Sequence, residues 1–533
     1  MSSSWHDVNA LYQIYPRSFK DADGDGVGDL AGIIEKLPYL KGEPDSIGVD
    51  AIWLSPIFSS PQKDCGYDVS DYRAIDPLFG DMDTFKLLLA RAHERGIKVM
   101  LDFVPNHSSD QHEWFKQASR SRNSPYRDYY VWQDAKEDGS APNNWLSMAG
   151  GSAWTWHEPT QQYYLHSFLP SQPDLNWENE QVRHEMAQVL RFWFDMGVDG
   201  FRVDAIWPLS KELTAGDNPY NPDFYGGEDN YGSYIHRHSK GGPRLHEYLR
   251  HMADVASEYE NRLLVFEYYP DDRLGGRLAQ YEAVQGIHPH VATAFYFEGF
   301  QTEWWARAFQ ERFDAFSRRH NLLPMATLGN HDQTRISSKY GMAQAKALAL
   351  MELALPGVPA VYYGEELGML DVDIAPEDAK DRFGGGAGMD ARDRYRTPMR
   401  WNRQKFAGFS TAKPWLPIGP HTDWMNVEAQ QQADHSFWRL YQKLLALRAA
   451  YPALRHGEYS TWRETSDETL AFKRSDENET FYVAMNFTDR VAEVGLPSKG
   501  RVVCSTNSAT EWELVEPRAV LAPFEAILVH VKR

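Results

Sequence analysis

Residues 98–107 read KVMLDFVPNH and residues 200–206 read GFRVDAI. They hold the strand candidates Lys98–Pro105 and Gly200–Ile206, short apolar, β-rich runs whose polar residues gather at or just beyond the C-terminal end: Asp102, Asn106 and His107 in the first, Arg202 and Asp204 in the second. Runs this short, bounded by Pro and Gly, read as buried strands. Six further segments have the same texture: Leu11–Pro16, Ala51–Pro56, Leu263–Tyr269, Ala292–Phe297, Met325–Gly329 and Val358–Tyr363. Between them lie amphipathic stretches such as Asp83–Arg95, Glu178–Met196, Pro243–Tyr259, Thr302–Arg319 and Met342–Leu355. Eight strands alternating with helices predict an α/β fold of the (β/α)8, or TIM barrel, type. An open doubly wound sheet usually has fewer strands and often a glycine-rich phosphate loop after the first, and none follows Leu11–Pro16.

The third strand is followed by 108–177, far longer than the ~4–6 residues typical of a connection. This stretch carries Trp114, Trp132, Trp145, Trp154, Trp156 and Trp177 and predicts an inserted subdomain on the face formed by the strands' C-terminal ends. A second long, glycine-rich excursion covers roughly 370–433. After a helix over Asp434–Ala450 the pattern changes to short alternating strands: Thr469–Arg474, Thr480–Phe487, Arg501–Ser505 and Phe524–Val531. The expected organisation is a barrel over 1–107 and 178–455, a subdomain over 108–177, and a C-terminal antiparallel β-sandwich over 456–533.

The chain has 533 residues, with 55 Lys and Arg against 75 Asp and Glu, a net charge of −20. That balance argues against a nucleic-acid or anionic-membrane partner and fits a neutral ligand. Two cysteines, Cys65 and Cys504, leave no disulfide framework and no cysteine-rich metal site. The opening MSSSWHDVNALYQIYP has no basic start followed by an apolar run, so no secretory signal and a cytoplasmic residence are expected. The most apolar region is interrupted by Lys346, Glu352, Pro356 and Pro359, which excludes a membrane span. Eighteen Trp, 28 Tyr and 26 Phe supply the rings on which apolar sugar faces stack, beside whatever share is core.

A barrel gathers its strand ends at one rim, so polar residues far apart in sequence share a pocket. The third strand ends in Asp102 to His107, the fourth in Arg202-Val203-Asp204, the fifth in Glu267, and the seventh runs into Asn330-His331-Asp332. With these motifs the chain resembles the α-amylase superfamily, glycoside hydrolase family 13, and more narrowly its exo-acting α-glucosidase, oligo-1,6-glucosidase and trehalose synthase branch. The resemblance is carried by DFVPNH, GFRVDA, GNHD, QPDLNW (172–177), GYDVSDY (66–72) and RTPM (396–399), in order along nearly the whole chain.

The resemblance implies Asp204 as nucleophile, Glu267 as general acid/base and Asp332 as the third carboxylate. It implies His107 and His331 as hydroxyl-binding residues, Arg202 as the guanidinium beside the nucleophile, and Tyr67 as the ring beneath the glucose. Asp68 and Arg396 match the pair that closes the pocket around the non-reducing end. Acetal cleavage needs one carboxyl ionised to attack and another protonated to assist departure. Opposite charge on Arg202 is expected to keep Asp204 ionised, and apolar neighbours to raise Glu267. The family usually has Gly before the acid/base, where this chain has Phe266; the rival acids are Glu258, Glu260 and Glu298.

Residues 21–30 read DADGDGVGDL. Acids alternating with glycines suit a hard cation, which takes several oxygens from a tightly turning loop. Asp21, Asp23, Asp25, Asp29 and the Val27 carbonyl are the expected ligands of a structural Ca²⁺, or Mg²⁺, with no metal needed for sugar chemistry. Residue 32 is Gly, where an EF-hand-like loop would carry a bidentate Glu.

The leading expectation is a retaining exo-α-glucosidase acting on short α-glucosides, with transglucosylation where a sugar hydroxyl outcompetes water. The alternatives are a trehalose synthase-type isomerase and a non-catalytic sugar-binding or scaffold protein on an inactive barrel. Ala205 stands where the family varies between Val and Thr, which leaves linkage preference open.

Overall fold

Eight parallel strands form the centre of the computed structural model: β1 (Leu11–Ile14), β2 (Ala51–Leu54), β3 (Lys98–Phe103), β4 (Gly200–Val203), β5 (Leu263–Phe266), β6 (Ala292–Tyr296), β7 (Met325–Ala326) and β8 (Ala360–Tyr362). The structure describes residues 4–532 apart from 227–229, 271–275, 318–322, 382, 384–391, 463–465, 497, 508–512, 516 and the side chain of Phe300. Neighbours pair in sequence order from β1 to β7, and β8 returns to pair with β1. The seam between β7 and β8 holds a single bridge, Thr327 to Ala360. The (β/α)8 barrel is therefore present, with one thin seam.

Each strand stops one to three residues before the C-terminal end of the apolar run that predicts it. Pro16, Pro56 and Pro105 explain three of these ends, because proline has no N–H to give to the ladder. Elsewhere the freed residues are chemical ones: Asp204, Glu267 and Asn330 lie just beyond the last paired positions. Side chains alternate across each strand. Leu11, Ala51, Trp53, Met100, Val265, Phe295 and Ala360 fill the barrel interior, while Tyr12, Ile52, Leu54, Leu101, Val203 and Phe266 pack outward in the larger core. Glu267, one residue on from Phe266, therefore points inward, and the Phe that replaces the family's usual Gly packs away from the cavity.

The helices carry ordinary stop and start signals. Asn179 accepts from the Gln181 N–H at the start of Glu180–Met196, and Gly197 ends that helix at φ +106°. After β3 the chain builds a three-stranded antiparallel sheet from Trp132–Gln133, Trp154–His157 and Gln162–Leu165, with its own core of Val131, Trp145, Ala153, Trp154 and Leu165. It is tied back to the barrel through Asp174, which pairs with Lys211 at 3.0 Å and accepts from Asn106 at 3.0 Å. The C-terminal part is a six-stranded antiparallel sheet with a two-stranded sheet packed on it, enclosing Ala471, Ala484, Val494, Val502, Leu521 and Ile527. Among the described residues no helix is long and apolar enough to cross a membrane.

Candidate active site

At the C-terminal rim of the barrel one guanidinium organises three acids. Arg202, central in β4 and 1% exposed, gives Nη1 to Asp102 Oδ1 at 2.7 Å and to Asp204 Oδ1 at 2.5 Å, and Nη2 to Glu267 Oε1 at 2.9 Å. The other Asp102 oxygen accepts from Trp53 Nε1 and from the Tyr67 hydroxyl, both at 3.1 Å. The other Glu267 oxygen accepts from the Ala205 N–H at 2.8 Å. Ala205 takes φ +42°, a left-handed conformation uncommon outside glycine, and this turn aims its N–H across at Glu267.

Asp332 completes the group from beyond β7. Arg396 Nη2 reaches Asp332 Oδ1 at 2.7 Å, Arg392 Nη1 approaches the same atom at 3.3 Å, and His331 Nε2 lies 3.2 Å from Oδ2. His331 is fully buried, with Nδ1 beside Gln13 Nε2 at 2.8 Å and Nε2 beside the Tyr67 hydroxyl at 2.5 Å, its ring stacked on that of Tyr67. The cavity above has a volume of about 470 Å³. Its polar side is Asp64, Tyr67, His107, Asp204, Glu267, Asp332, Gln333 and Arg392; the other side is Met148, Phe168, Ala205, Trp207, Tyr269 and Phe383, with Tyr231 and Lys240 beside Met148 and Trp207.

Charge and burial compete here. Burial pushes Asp204 well above its ordinary range; Arg202 pulls it down, but the carboxylates of Glu267, Asp102 and Asp332 push it up again. Arg202 thus pulls Asp204 towards the ionised form, in the direction expected, but burial outweighs that pull and one cation serves three acids. Glu267 is raised by burial, against the pull of Arg202. Asp102 is pushed up to about 6 by burial, with Arg202 opposing. Asp332 goes the other way: burial raises it, but the neighbouring His331 and, where that ring is uncharged, the guanidiniums of Arg396, Arg392 and Arg202 hold it below the carboxylate range. Burial lowers His107 to about 4 and His331 far below its usual value, so both rings are neutral at pH 7; of the two, His107 lines the cavity, while both nitrogens of His331 are taken by Gln13 and Tyr67.

Of the residues expected from sequence, Tyr67, His107, Asp204, Glu267 and Asp332 line the cavity, and Arg202, His331 and Arg396 support it from beneath. Asp68 and Arg396 do not form the expected pair. Asp68 is spent on its own loop, accepting from Ser60 Oγ and the N–H groups of Lys63 and Asp64, while Arg396 holds Asp332 and the His331 carbonyl. The pair inside the cavity is Asp64 with Arg392, at 2.6 Å, and Arg392 is held in turn by Asp381 at 2.8 Å. The turn at Cys65 (φ +51°) and Gly66 (φ +105°) delivers Asp64 to the cavity; a Cβ at Gly66 would meet the Pro56 carbonyl oxygen at 3.2 Å. Cys65 itself is buried and does not line the cavity. Of the rival acids, Glu258 pairs with Arg191 at the surface and Glu298 with Arg277 and Arg312. Neither these two nor Glu260 lines the cavity.

In the acidic loop, Asp21, Asp23 and Asp29 bring three carboxylate oxygens within 4.8 Å of one another. Oxygens bound at 2.3–2.6 Å to one Ca²⁺ are separated by no more than about 5 Å, so these three fit a single cation. Asp25 is outside that group: its carboxylate accepts from the Val27 N–H at 2.7 Å, in a local turn. Glycine at 32 has a packing reason, since a Cβ there would lie 2.0 Å from the Lys20 carbonyl oxygen.

The sequence of residues 13–457 matches the family model described as Alpha amylase, catalytic domain. The chain is 38% identical to Maltase 1 of Drosophila virilis, over 99% of this chain and 87% of that one. It is 35% identical to an oligo-1,6-glucosidase of Heyndrickxia coagulans over the full length of both. The solved structure of the α-glucosyl transfer enzyme XgtA superposes with a TM-score of 0.90 at 35% identity, covering both chains completely. With that match spanning most of its length, and with the barrel and its rim of acids in place, the chain belongs to the α-amylase catalytic-domain family of glycoside hydrolases.

Proposed function

We propose that the protein is a retaining, exo-acting α-glucosidase that removes one glucose at a time from the non-reducing end of short α-glucosides. The observation that carries this reading is the grip of Arg202 on Asp204 and Glu267 beneath a cavity crossed by the Asp64–Arg392 pair. In this reading Asp204 attacks the anomeric carbon, Glu267 protonates the departing oxygen, and water then releases glucose with Glu267 as base. Arg202 brings one positive charge to Asp102, Asp204 and Glu267, so the buried trio retains a proton at neutral pH. A leaving-group oxygen beside Glu267 draws that proton there and leaves Asp204 to attack. Asp332, kept ionised, and neutral His107 take the ring hydroxyls and bind them more tightly as the ring flattens, while His331 holds Asp332 and Tyr67 in place from beneath.

The apolar side of the cavity is where a leaving group or acceptor lies. Met148, Phe168, Trp207, Tyr269 and Phe383 give it stacking and apolar surface, and Tyr231 and Lys240 give polar contacts at its edge, which suits a sugar acceptor and so transfer of glucose to an incoming hydroxyl beside hydrolysis. Ala205 at the same edge leaves room, so several α-linkages are accepted. The test is a panel of maltose, isomaltose, kojibiose, nigerose and sucrose with products resolved by chromatography. The expected outcome is free glucose plus transfer products from more than one linkage. Strict α-1,6 activity counts against the breadth; trehalose as the main product from maltose makes the enzyme an isomerase; inertness towards every sugar returns the barrel to a binding role.

The cation reading of the acidic loop is a second part of the proposal: Asp21, Asp23 and Asp29 hold a structural Ca²⁺ or Mg²⁺, and no step of the sugar chemistry passes through it. Binding to the native state alone contributes RT ln(1 + [L]/Kd), about 2.7 kcal/mol at a hundredfold excess over Kd. Chelation is expected to lower the thermal midpoint by a few degrees and readdition of Ca²⁺ to restore it; an unchanged midpoint dismisses the ion.

A further inference from the structure

The excursion after β8 is closed at its neck by two aspartates, each accepting backbone N–H groups from the other's side. Asp393 is fully buried, and its Oδ2 accepts from the N–H groups of Lys380 and Asp381 at 2.6 and 2.9 Å. Asp381, 5% exposed, returns the contact: its Oδ2 accepts from the Arg392 N–H and its Oδ1 from the Phe383 N–H, both at 3.1 Å. The neck thus ties Lys380, Asp381 and Phe383 to Arg392 and Asp393.

The same carboxylate grips a side chain that lines the cavity. Arg392 gives Nε to Asp381 Oδ2 and Nη2 to Asp381 Oδ1, both at 2.8 Å, the two-pronged form in which a planar guanidinium and a carboxylate fix each other's direction. The rest of the guanidinium faces the glucose side: Nη2 also reaches Asp64 Oδ1 at 2.6 Å, and Nη1 lies 3.3 Å from Asp332 Oδ1. Burial raises Asp381, but the hydrogen bonds and charge of Arg392, with Arg396, hold it well below the carboxylate range. The grip is therefore charge-assisted at neutral pH.

The opposite wall of the cavity depends on Asp381 too. Phe383, whose N–H it holds, carries the Arg392 guanidinium over its ring at 4.5 Å from the centroid. Its ring lies 6.2 Å from that of Phe168 and packs against the cluster of Phe168, Ala205 and Trp207, on the side where a leaving group or acceptor lies. Asp381 does not line the cavity itself, yet it holds one residue on each of its two sides.

We propose that Asp381 is a positioning residue that sets Arg392 against the non-reducing end of the glucosyl unit and Phe383 against the acceptor, so that glucose affinity and the share of transfer over hydrolysis depend on one carboxylate. This rests on the α-glucosidase reading of the cavity. Without Asp381 the guanidinium keeps Asp64 and Asp332 as partners but loses the two bonds that fix its plane, and Phe383 loses the anchor of its N–H.

The test compares the full chain with Asp381→Ala and Asp381→Asn, alone and combined with Phe383→Ala or Arg392→Ala. The donor is 4-nitrophenyl α-glucoside. Nitrophenol release counts every turnover and glucose release counts hydrolysis alone, so their difference is the transfer share. Glucose affinity is read from the shift that glucose produces in the thermal midpoint, with galactose as the blank. Asp381→Ala is expected to weaken glucose about tenfold, with KM raised more than kcat is lowered. It should also cut the transfer share by about threefold. Asp381→Asn, with one acceptor oxygen left, should fall between parent and Ala in both. An affinity and a product ratio do not follow the amount of folded protein, so a merely structural loss does not mimic them. On the Phe383→Ala background the change at Asp381 should lower the transfer share no further, and on the Arg392→Ala background it should weaken glucose no further. Additive losses in either combination, or single variants that match the parent in both readouts, overturn the proposal. If the Ala variant fails to fold, Asp381→Asn carries the same readouts; failure of both makes Asp381 a brace of the fold and also overturns it. Absence of glucoside turnover in the parent refutes the α-glucosidase reading instead, and the glucose-dependent midpoints of parent and variants still decide whether Asp381 sets Arg392.

Discussion

Asp204→Asn is expected to lower turnover of α-glucosides by about 10⁴-fold or more while the protein stays folded. The amide keeps the shape of the carboxylate but cannot form the glucosyl ester through which a retaining reaction passes. Stability should move the other way. In the parent, Asp204 sits above its ordinary range because burial and the charges of Glu267, Asp102 and Asp332 outweigh the pull of Arg202. A raised carboxyl binds more protons folded than unfolded, so stability drains away as pH rises from its unfolded value through its folded one. Replacing it with a group that does not titrate removes that loss. The thermal midpoint of Asp204→Asn is expected to equal or exceed that of the parent at pH 7–8, the trade of stability for function usual at buried catalytic groups. Asp204→Gly gives a sharper readout: with the carboxylate gone, added azide should attack the same carbon from the same face and yield β-glucosyl azide from an activated α-glucoside. Parent-like turnover in Asp204→Asn would remove this residue from the chemistry.

The barrel was readable because its physics is local. Strands buried on both faces read as continuous apolar runs, and Pro16, Pro56 and Pro105 mark where three of the ladders end. The acids on Arg202 were readable for the same reason: Asp102 lies in the last positions of its strand, Asp204 and Glu267 directly follow theirs, and strand ends converge. Asp64 and Arg392 were not. They are 328 residues apart and belong to a turn and an excursion with no periodicity to place them. Each also has a decoy of the same type four residues later, Asp68 and Arg396, inside a better-formed motif. Only the left-handed turn at Cys65 and Gly66 decides which aspartate of the loop reaches the cavity, and a sequence does not display that φ. Glu352 was hidden differently. It interrupts an apolar helix and reads as a break in a hydrophobic run, when it is a buried acid under the seam. The acidic loop was half readable, since the spacing of Asp21, Asp23 and Asp29 survives in space but Asp25 turns back on its own backbone.

Glu267→Gln should separate substrates by their leaving groups. A positioned general acid contributes about 10²–10⁴-fold, and only where the departing oxygen needs a proton. Maltose departs as a sugar alkoxide and is expected to lose that full factor in kcat/KM. An activated aryl glucoside departs as a stable phenolate and is expected to lose far less. The glucosyl-enzyme then persists, because the same residue is needed as base to activate water, so rapid mixing should show a burst of phenolate followed by a slow steady state. The surroundings of Glu267 suit both duties. Arg202 and the Ala205 N–H hold its two oxygens, which fixes its direction, while burial raises it above the ordinary glutamate value. Equal losses on both substrates, with no burst, would place the proton donor elsewhere. Few acids then remain to take the role: Glu298 and Glu258 are paired with arginines outside the cavity, and Asp332 is held well below the carboxylate range by its neighbours, which makes it a poor proton donor at neutral pH.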